Sequence, residues 1–189
     1  MATIMNVNHF SIYLKHNMDC TVILPNSINE NEEIPVIWLY HGGSGDHTSW
    51  LYHSPICEYA DEYRIVAVLP NVHNSCFVDM NIGDKYGTYV GKELYSIIHN
   101  MFPRLSKKRE DNYIVGFSNG GYGSLHIALK YPKKYGCVGA FSAGDKADAD
   151  FPNDGGAKSI TRIQLYGDND IHDTEYCLTY QADKLIESD

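Results

Sequence analysis

Cysteine pairs, long apolar runs and clusters of basic residues are all missing from this sequence. The five cysteines are odd in number, lie far apart and include no Cys-x-x-Cys pair. This spacing argues against a disulfide framework and against a zinc site, and it favours buried thiols in a reducing compartment. Cys76 is the thiol to examine for reactivity, although an inert buried role is the simpler interpretation.

Targeting and membrane signals are also missing. The N-terminus has neither the charged start nor the apolar stretch of a signal peptide, and no later run is long enough to span a bilayer. We therefore expect a cytoplasmic protein with no membrane partner. Acidic side chains outnumber basic ones by 24 to 15, a net charge of -9. Without a basic run or a stripe of aromatic residues and arginines, the sequence predicts no nucleic-acid partner.

The order of apolar runs predicts a single α/β domain over residues 1–189. An antiparallel hairpin comes first and strands then alternate with helices, which predicts a mostly parallel sheet with helices on both faces. A long loop is expected at 71–86. The predicted strands are 7–14, 19–24, 35–40, 65–69, 113–115, 137–141 and 162–166, and the predicted helices are 54–63, 90–101, 173–187 and one after Ser118.

The stretch Gly116-Phe-Ser-Asn-Gly120 lies between a predicted strand and a predicted helix. Gly-x-Ser-x-Gly in that context is typical of a nucleophile elbow, a sharp turn that exposes a serine at the positive end of a helix. A Cβ atom at Gly116 or Gly120 is expected to collide with neighbouring backbone. The pattern predicts Ser118 as a nucleophile, and an incidental serine in a glycine-rich turn is the alternative.

A second glycine-rich turn, His41-Gly-Gly-Ser-Gly-Asp46, follows the predicted strand 35–40. Ligand chemistry gathers at the carboxyl ends of parallel strands, so both glycine turns are expected at one edge of the sheet. The backbone N–H groups of Asn119, directly after the nucleophile, and of Gly43 are the predicted oxyanion donors. A plain tight turn is the alternative, and His41 is expected to have a structural role.

Acidic residues cluster after the predicted strand 162–166. Either Asp168 or Asp170 suits the acid of a Ser-His-Asp triad, because both lie in the turn that follows this strand. A metal site formed with His172 and the next acidic residues is the alternative. The spacing of an EF-hand loop is absent, however, and no cysteine or further histidine joins at ligand spacing. The sequence therefore predicts no metal.

Several motifs in order resemble the α/β-hydrolase esterases of the esterase D and tributyrin esterase group. With the hairpin, they cover most of residues 4–170 and comprise 38–50, 102–109, 116–123 and 167–170. The resemblance implies that a small-molecule ester is the partner and that no cofactor is needed. Members of the group hydrolyse short acyl or acetyl esters, thioesters such as S-formylglutathione, or aromatic esters.

The same resemblance implies roles for individual residues. Ser118 matches the nucleophile. Asp170 is preferred to Asp168 as the triad acid, because it occupies the fourth position of the Gly-x-x-Asp turn. Asn119 replaces the methionine that is common after the serine, a change that a backbone donor tolerates.

Two departures from the group bear on the mechanism. The stretch 142–161 is short, so any lid is expected to be reduced or absent. In the chain order Ser, Asp, His the base comes last, and only His172 follows Asp170. Those two residues are too close together for the carboxylate to orient a histidine that also reaches Ser118. His126 is expected to pack in the core, so the sequence predicts an esterase without its last strand and its triad histidine.

Several functional hypotheses therefore stay open. The first is a serine carboxylesterase that acts through an acyl-enzyme on Ser118, with an S-formylglutathione thioesterase as a variant. The second is an inactive relative that keeps a ligand pocket and serves as a binding module. The third is a homo-oligomer in which a partner copy supplies the histidine at an open sheet edge. Four aromatic residues are candidates for the pocket, with core packing as the alternative: Trp50, Tyr52, Phe77 and Tyr122.

Overall fold

A six-stranded sheet organises the computed structural model, which describes residues 2–26, 28–29, 32–148 and 156–188. The order across the sheet is β1-β2-β4-β3-β5-β6. Strands β1 and β4 are antiparallel to β2, and the remaining neighbours are parallel. This confirms the predicted sheet. The strands are β1 (Thr3–Phe10), β2 (Asn17–Leu24), β3 (Val36–Tyr40), β4 (Val66–Pro70), β5 (Asn112–Phe117) and β6 (Cys137–Phe141).

Seven α-helices are found among the described residues. The third α-helix continues through the π-helical segment Tyr89–Leu94 into the fourth α-helix. One continuous helical segment, Tyr86–Met101, therefore stands where the helix 90–101 was predicted. The predicted loop 71–86 is confirmed up to the start of α3 at Tyr86. The helices are α1 (Ser49–His53), α2 (Ile56–Glu62), α3 (Tyr86–Thr88), α4 (Tyr95–Met101), α5 (Asn119–Lys130), α6 (Ala157–Tyr166) and α7 (Leu178–Ser188).

The central strands are buried on both faces, because successive side chains of a strand point in opposite directions. Trp38 and Tyr40 of β3 face one cluster, which includes Ile127 of α5. Leu39 faces the other cluster, which includes Ala60 of α2. Continuous apolar runs, rather than alternating ones, are what a strand covered on both faces requires.

The hairpin turn lies at 11–16, whereas the predicted strands 7–14 and 19–24 would place it at 15–18. Its position follows from a buried carboxylate in the π-helical segment. Glu93 accepts a hydrogen bond from the Ser11 hydroxyl at 2.5 Å and another from the Ile12 N–H at 2.6 Å. These bonds satisfy a charge that is costly to bury alone, and they join the hairpin to the helical layer.

The predicted strand 162–166 is wrong, because these residues form the last part of helix α6. An apolar run of five residues fits a strand or a helix, and here the preceding residues extend it as a helix. Its buried residues include Ser159 and Tyr166, which share one helical face. Gly167 ends the helix with a φ of 84°, and Arg162 donates a hydrogen bond to its carbonyl at 2.8 Å.

The sheet ends at β6 within the described residues. Helix α5 covers one face of β5 and β6. On the opposite face the side chains of Phe117 and Phe141 are 50% and 57% exposed. Helices therefore cover both faces of the sheet only in part. Because 162–166 is helical, the segment after β6 includes α6 and α7 among its described residues. The expectation of a reduced or absent lid stays a prediction.

Candidate active site

Ser118 occupies a strained turn between β5 and α5. Its φ is 56° and its ψ is -117°, a conformation that costs a non-glycine residue roughly 1–3 kcal/mol. The turn is held by the Ser118 N–H, which donates to the Phe141 carbonyl at 2.8 Å. The Ser118 side chain makes no capping bond to α5. A half-buried hydroxyl therefore lies at the positive end of a 12-residue helix.

Two glycines allow this turn to form. A Cβ atom on Gly116 would lie 2.0 Å from the Gly120 carbonyl oxygen. A Cβ atom on Gly120 would lie 2.3 Å from the carbonyl oxygen of Tyr40 in the neighbouring strand. Both contacts are with backbone atoms, which cannot rotate away. The expected requirement for glycine at both positions is confirmed, in the turn that was predicted as a nucleophile elbow.

The second glycine turn lies directly against the elbow. The end of β3 is paired with the end of β5, Tyr40 opposite Gly116. A Cβ atom on Gly43 would lie 3.0 Å from the Asn119 side-chain nitrogen. Among the described residues the Gly43 N–H has no hydrogen-bond acceptor, and the Asn119 N–H belongs to the first turn of a helix, which lacks intrahelical acceptors. Two backbone donors are thus available beside Ser118.

An open apolar cavity of about 650 Å³ adjoins this turn. Trp50 forms part of its wall, and its indole N–H donates to the Tyr40 carbonyl at 3.0 Å. The two exposed phenylalanines at the ends of β5 and β6 form another part. The lining residues are His41, Gly42, Gly43, Ser44, Gly45, Ser49, Trp50, His53, Phe117 and Phe141.

His41 has the structural role expected of it. Its Nδ1 bonds the Gly42 carbonyl at 2.8 Å, and its Nε2 accepts the Val72 N–H at 3.3 Å. Burial lowers the pKa of His41, which keeps the ring neutral as this hydrogen bonding requires. The ring thus links the glycine turn to the loop after β4.

Asp170 lies in an exposed loop after α6. The helix at 157–166 removes the strand that favoured both Asp168 and Asp170, whereas the choice of Asp170 as triad acid by resemblance stays a prediction. Its carboxylate accepts the His172 N–H at 3.0 Å and pairs with His172 Nδ1 at 2.5 Å. The Asp170 and His172 side chains are 78% and 57% exposed. Hydrogen bonding between them lowers the pKa of Asp170 and raises that of His172.

No histidine hydrogen-bonds to the Ser118 hydroxyl among the described residues. The other ring nitrogen of His172 lies 4.0 Å from Asp148. His126 is buried against Tyr122 and its Nδ1 contacts Gln181 of α7 at 3.0 Å, which confirms its expected packing role. The remaining histidines also contact groups other than Ser118: His9, His16, His41, His47, His53, His73 and His99.

The aromatic candidates for the pocket divide between cavity and core. Trp50 lines the cavity, whereas Tyr52 is exposed and does not line it. Phe77 is buried and stacks on Tyr40 with ring centroids 4.1 Å apart, and Tyr122 is also buried. Cys76 is buried too, and burial raises the pKa of its thiol. Its burial agrees with the inert interpretation. All five cysteines are free, but the expectation of buried thiols is wrong for Cys137, which is exposed.

Sequence reasoning did not anticipate one polar contact at the site. Lys146 donates from Nζ to the Asn119 side-chain oxygen at 3.2 Å. Asparagine in place of methionine at position 119 is visible in the sequence, but no local pattern connects Asn119 with Lys146, which lies after β6.

Within the part of the chain that the structure describes, no helix is both long and apolar enough to cross a bilayer. No group of three or more His, Cys, Asp or Glu side chains there could hold a metal ion.

Comparison with known proteins agrees with this geometry. The Esterase family model matches residues 11–155. The chain belongs to this esterase family. An acetyl esterase from Caldicellulosiruptor saccharolyticus is 33% identical over 149 residues, which are 74% of this chain and 56% of that relative. The matched part of the chain thus spans little more than half the length of this curated relative.

Two solved structures from Staphylococcus aureus are similar over the whole chain. FphF, a fluorophosphonate-binding serine hydrolase with substrate bound, is 29% identical with a TM-score of 0.87, covering 99% of this chain and 74% of its own. The S-formylglutathione hydrolase FrmB is also 29% identical with a TM-score of 0.82, covering 100% of this chain and 75% of its own. The esterase family member described here therefore has the α/β-hydrolase fold.

Proposed function

We propose that the protein is a serine carboxylesterase that hydrolyses short acyl or acetyl esters through an acyl-enzyme on Ser118. The observation that carries the proposal is the strained Ser118 turn, which lies at the start of α5 beside the Gly43 turn. Family membership and the similarity to an acetyl esterase and to a fluorophosphonate-binding hydrolase support the same chemistry.

In the proposed mechanism the Ser118 oxygen attacks the ester carbonyl carbon. The carbonyl oxygen becomes negatively charged and accepts hydrogen bonds from the N–H groups of Gly43 and Asn119. Loss of one such donor typically costs about 3–4 kcal/mol in the transition state. The positive end of α5 favours the same charge. Collapse of the intermediate expels the alcohol, and water then cleaves the acyl-enzyme.

Removal of the Ser118 proton is the step for which the described residues offer no placed base. An added base should therefore accelerate the reaction of a serine that is otherwise correctly positioned. We expect a fluorophosphonate to label the protein once, at Ser118, and imidazole in the buffer to increase the labelling rate. Intact-mass measurement follows the label without relying on turnover.

Two variants make this experiment specific. Ser118→Ala should abolish the label at every imidazole concentration. Ser142→Ala is a matched control, because Ser142 also has a positive φ, of 51°, and lies at the end of β6. It should leave the label unchanged. A folded wild-type protein that takes no label with imidazole would contradict the esterase proposal and support a binding module.

A second candidate function is thioester hydrolysis of the S-formylglutathione type. Its support is the similarity to FrmB, which extends over 100% of this chain. The same nucleophile and oxyanion donors would serve an oxygen ester and a thioester, because the carbonyl carbon of either is attacked in the same way. The ratio of kcat/KM for S-formylglutathione to that for 4-nitrophenyl acetate decides between the two functions. We expect the oxygen ester to be preferred, and a ratio far above one would favour the thioesterase.

A further inference from the structure

The side chain of Asn119 lies between the Gly43 turn and a lysine. Its oxygen accepts a hydrogen bond from Lys146 Nζ at 3.2 Å. Its nitrogen lies 3.0 Å from the position that a Cβ atom on Gly43 would occupy. This arrangement fixes the amide with its oxygen towards the ammonium group and its NH2 towards the glycine turn. The positive charge of Lys146 is therefore one side chain away from the nucleophile.

The ammonium group of Lys146 has few partners among the described residues. No carboxylate of the described residues lies within 4.0 Å of its ammonium group. The ammonium instead lies 5.4 Å from the centre of the Tyr122 ring. A lysine has three N–H donors, and Asn119 uses only one of them. Within the described residues, two donors of Lys146 therefore remain unused beside the site.

The adjacent acid, Asp145, is engaged elsewhere. Its Oδ2 accepts the N–H groups of Leu178 at 2.8 Å and Thr179 at 3.2 Å, at the start of α7. Its Oδ1 accepts the Ala147 N–H at 3.1 Å. These bonds direct the Asp145 carboxylate towards α7 and fix the backbone on both sides of Lys146. The ammonium is thus held in place before any ligand arrives, which reduces the ordering cost of binding.

We propose that Lys146 and Asn119 form a carboxylate-binding subsite next to Ser118. The preferred substrates are then short esters or thioesters that carry a carboxylate in addition to the reacting carbonyl. The protein has a net charge of -9, so it repels such anions on average and a local cation decides whether they bind. That the ligand is a substrate of Ser118 rests on the proposed function. Binding of a carboxylate to Lys146 and Asn119, in contrast, can be measured without hydrolysis.

The test measures binding to the Ser118→Ala protein, in which no turnover consumes the ligand. Monomethyl succinate is compared with methyl butanoate, a neutral ester of similar size, by NMR titration. We expect the anionic ester to bind roughly tenfold more tightly at low salt, and the difference to shrink as ionic strength rises. Lys146→Met should remove the difference, whereas Lys146→Arg should retain most of it.

Lys158→Met is the matched control, because it removes an equal charge from an exposed position on α6. It should leave the preference intact. Equal affinity for the two esters, no detectable binding of either, or a preference that survives Lys146→Met would overturn the subsite. Fluorophosphonate labelling of Ser118 is scored separately: labelling without a charge preference contradicts only the subsite, and a preference without labelling contradicts only the esterase proposal.

Discussion

The elbow region and the acidic loop after α6 contrast in how they hold their polar groups. The elbow region comprises the turns around Ser118 and Gly43, and at Gly116 and Gly120 its backbone atoms are packed so closely that a single methyl group does not fit. In the loop 167–173, Asp170 and His172 bond to each other and are largely exposed. The core thus positions Ser118 and the proposed oxyanion donors, whereas local hydrogen bonds position the Asp170 carboxylate. Motif spacing does not distinguish these two situations.

The largest effect is expected from removal of the nucleophile. Ser118→Ala should reduce labelling and ester turnover by about 10³-fold or more, because the covalent route is lost. The unfolding midpoint in urea should change little, since Ser118 makes no side-chain cap. Equal turnover by wild type and variant would place the chemistry outside the elbow region.

Gly120→Ala should have the next largest effect, on stability rather than chemistry. Its new Cβ atom would lie 2.3 Å and 2.5 Å from the carbonyl oxygens of Tyr40 and His41. We expect a loss of more than about 3 kcal/mol in the free energy of unfolding, measured with urea. The control is Gly144→Ala, where nothing lies within 4 Å of the new atom. It should change stability by less than about 0.5 kcal/mol.

The buried histidines His41 and His126 and the exposed His172 should respond to pH in opposite directions. Burial lowers the pKa of His41 and of His126 below 6.5. At a pH between 6.5 and the lowered pKa of these rings, the unfolded chain binds protons that the folded chain does not. The free energy of unfolding should therefore fall as pH falls below 6.5. The raised pKa of His172 stabilises the fold at low pH, and that contribution is lost as pH rises through it.

Urea unfolding between about pH 5 and pH 8 tests this prediction. The buried histidines should dominate, because the exposed His172 pair is screened by solvent. The variant His172→Gln should therefore leave the acid side of the stability curve unchanged. If the stability of His172→Gln no longer depended on pH, the exposed pair of Asp170 and His172, rather than the buried histidines, would control the pH dependence.

The smallest effect is expected from Asp170→Asn. The carboxylate is exposed and bonds only to its own loop among the described residues, so the variant should match wild type in labelling rate and unfolding midpoint. Loss of Ser118 labelling in this variant would instead support Asp170 as the triad acid. Asp168→Asn, two residues earlier in the same loop, is the control.

Local pattern predicted the fold where each element carries its own signal. Apolar runs identified β3 to β6, and the glycines around Ser118 identified the tight turn, because backbone crowding restricts those positions. The short apolar run 162–166 fits either a strand or a helix, and it is helical because it continues the helix that begins at Ala157. The contact between Asn119 and Lys146 was beyond sequence reasoning, since it joins two elements across 27 positions.

The bond from the Ser118 amide to the Phe141 carbonyl gives the site an internal reporter. Phe141 ends β6, the edge strand of the described sheet. The Ser118 amide proton can exchange with solvent deuterium only when this bond opens, so its exchange rate measures how often the edge strand separates from the elbow. A spectroscopist can thus judge from one amide whether the nucleophile is in place, with no substrate present.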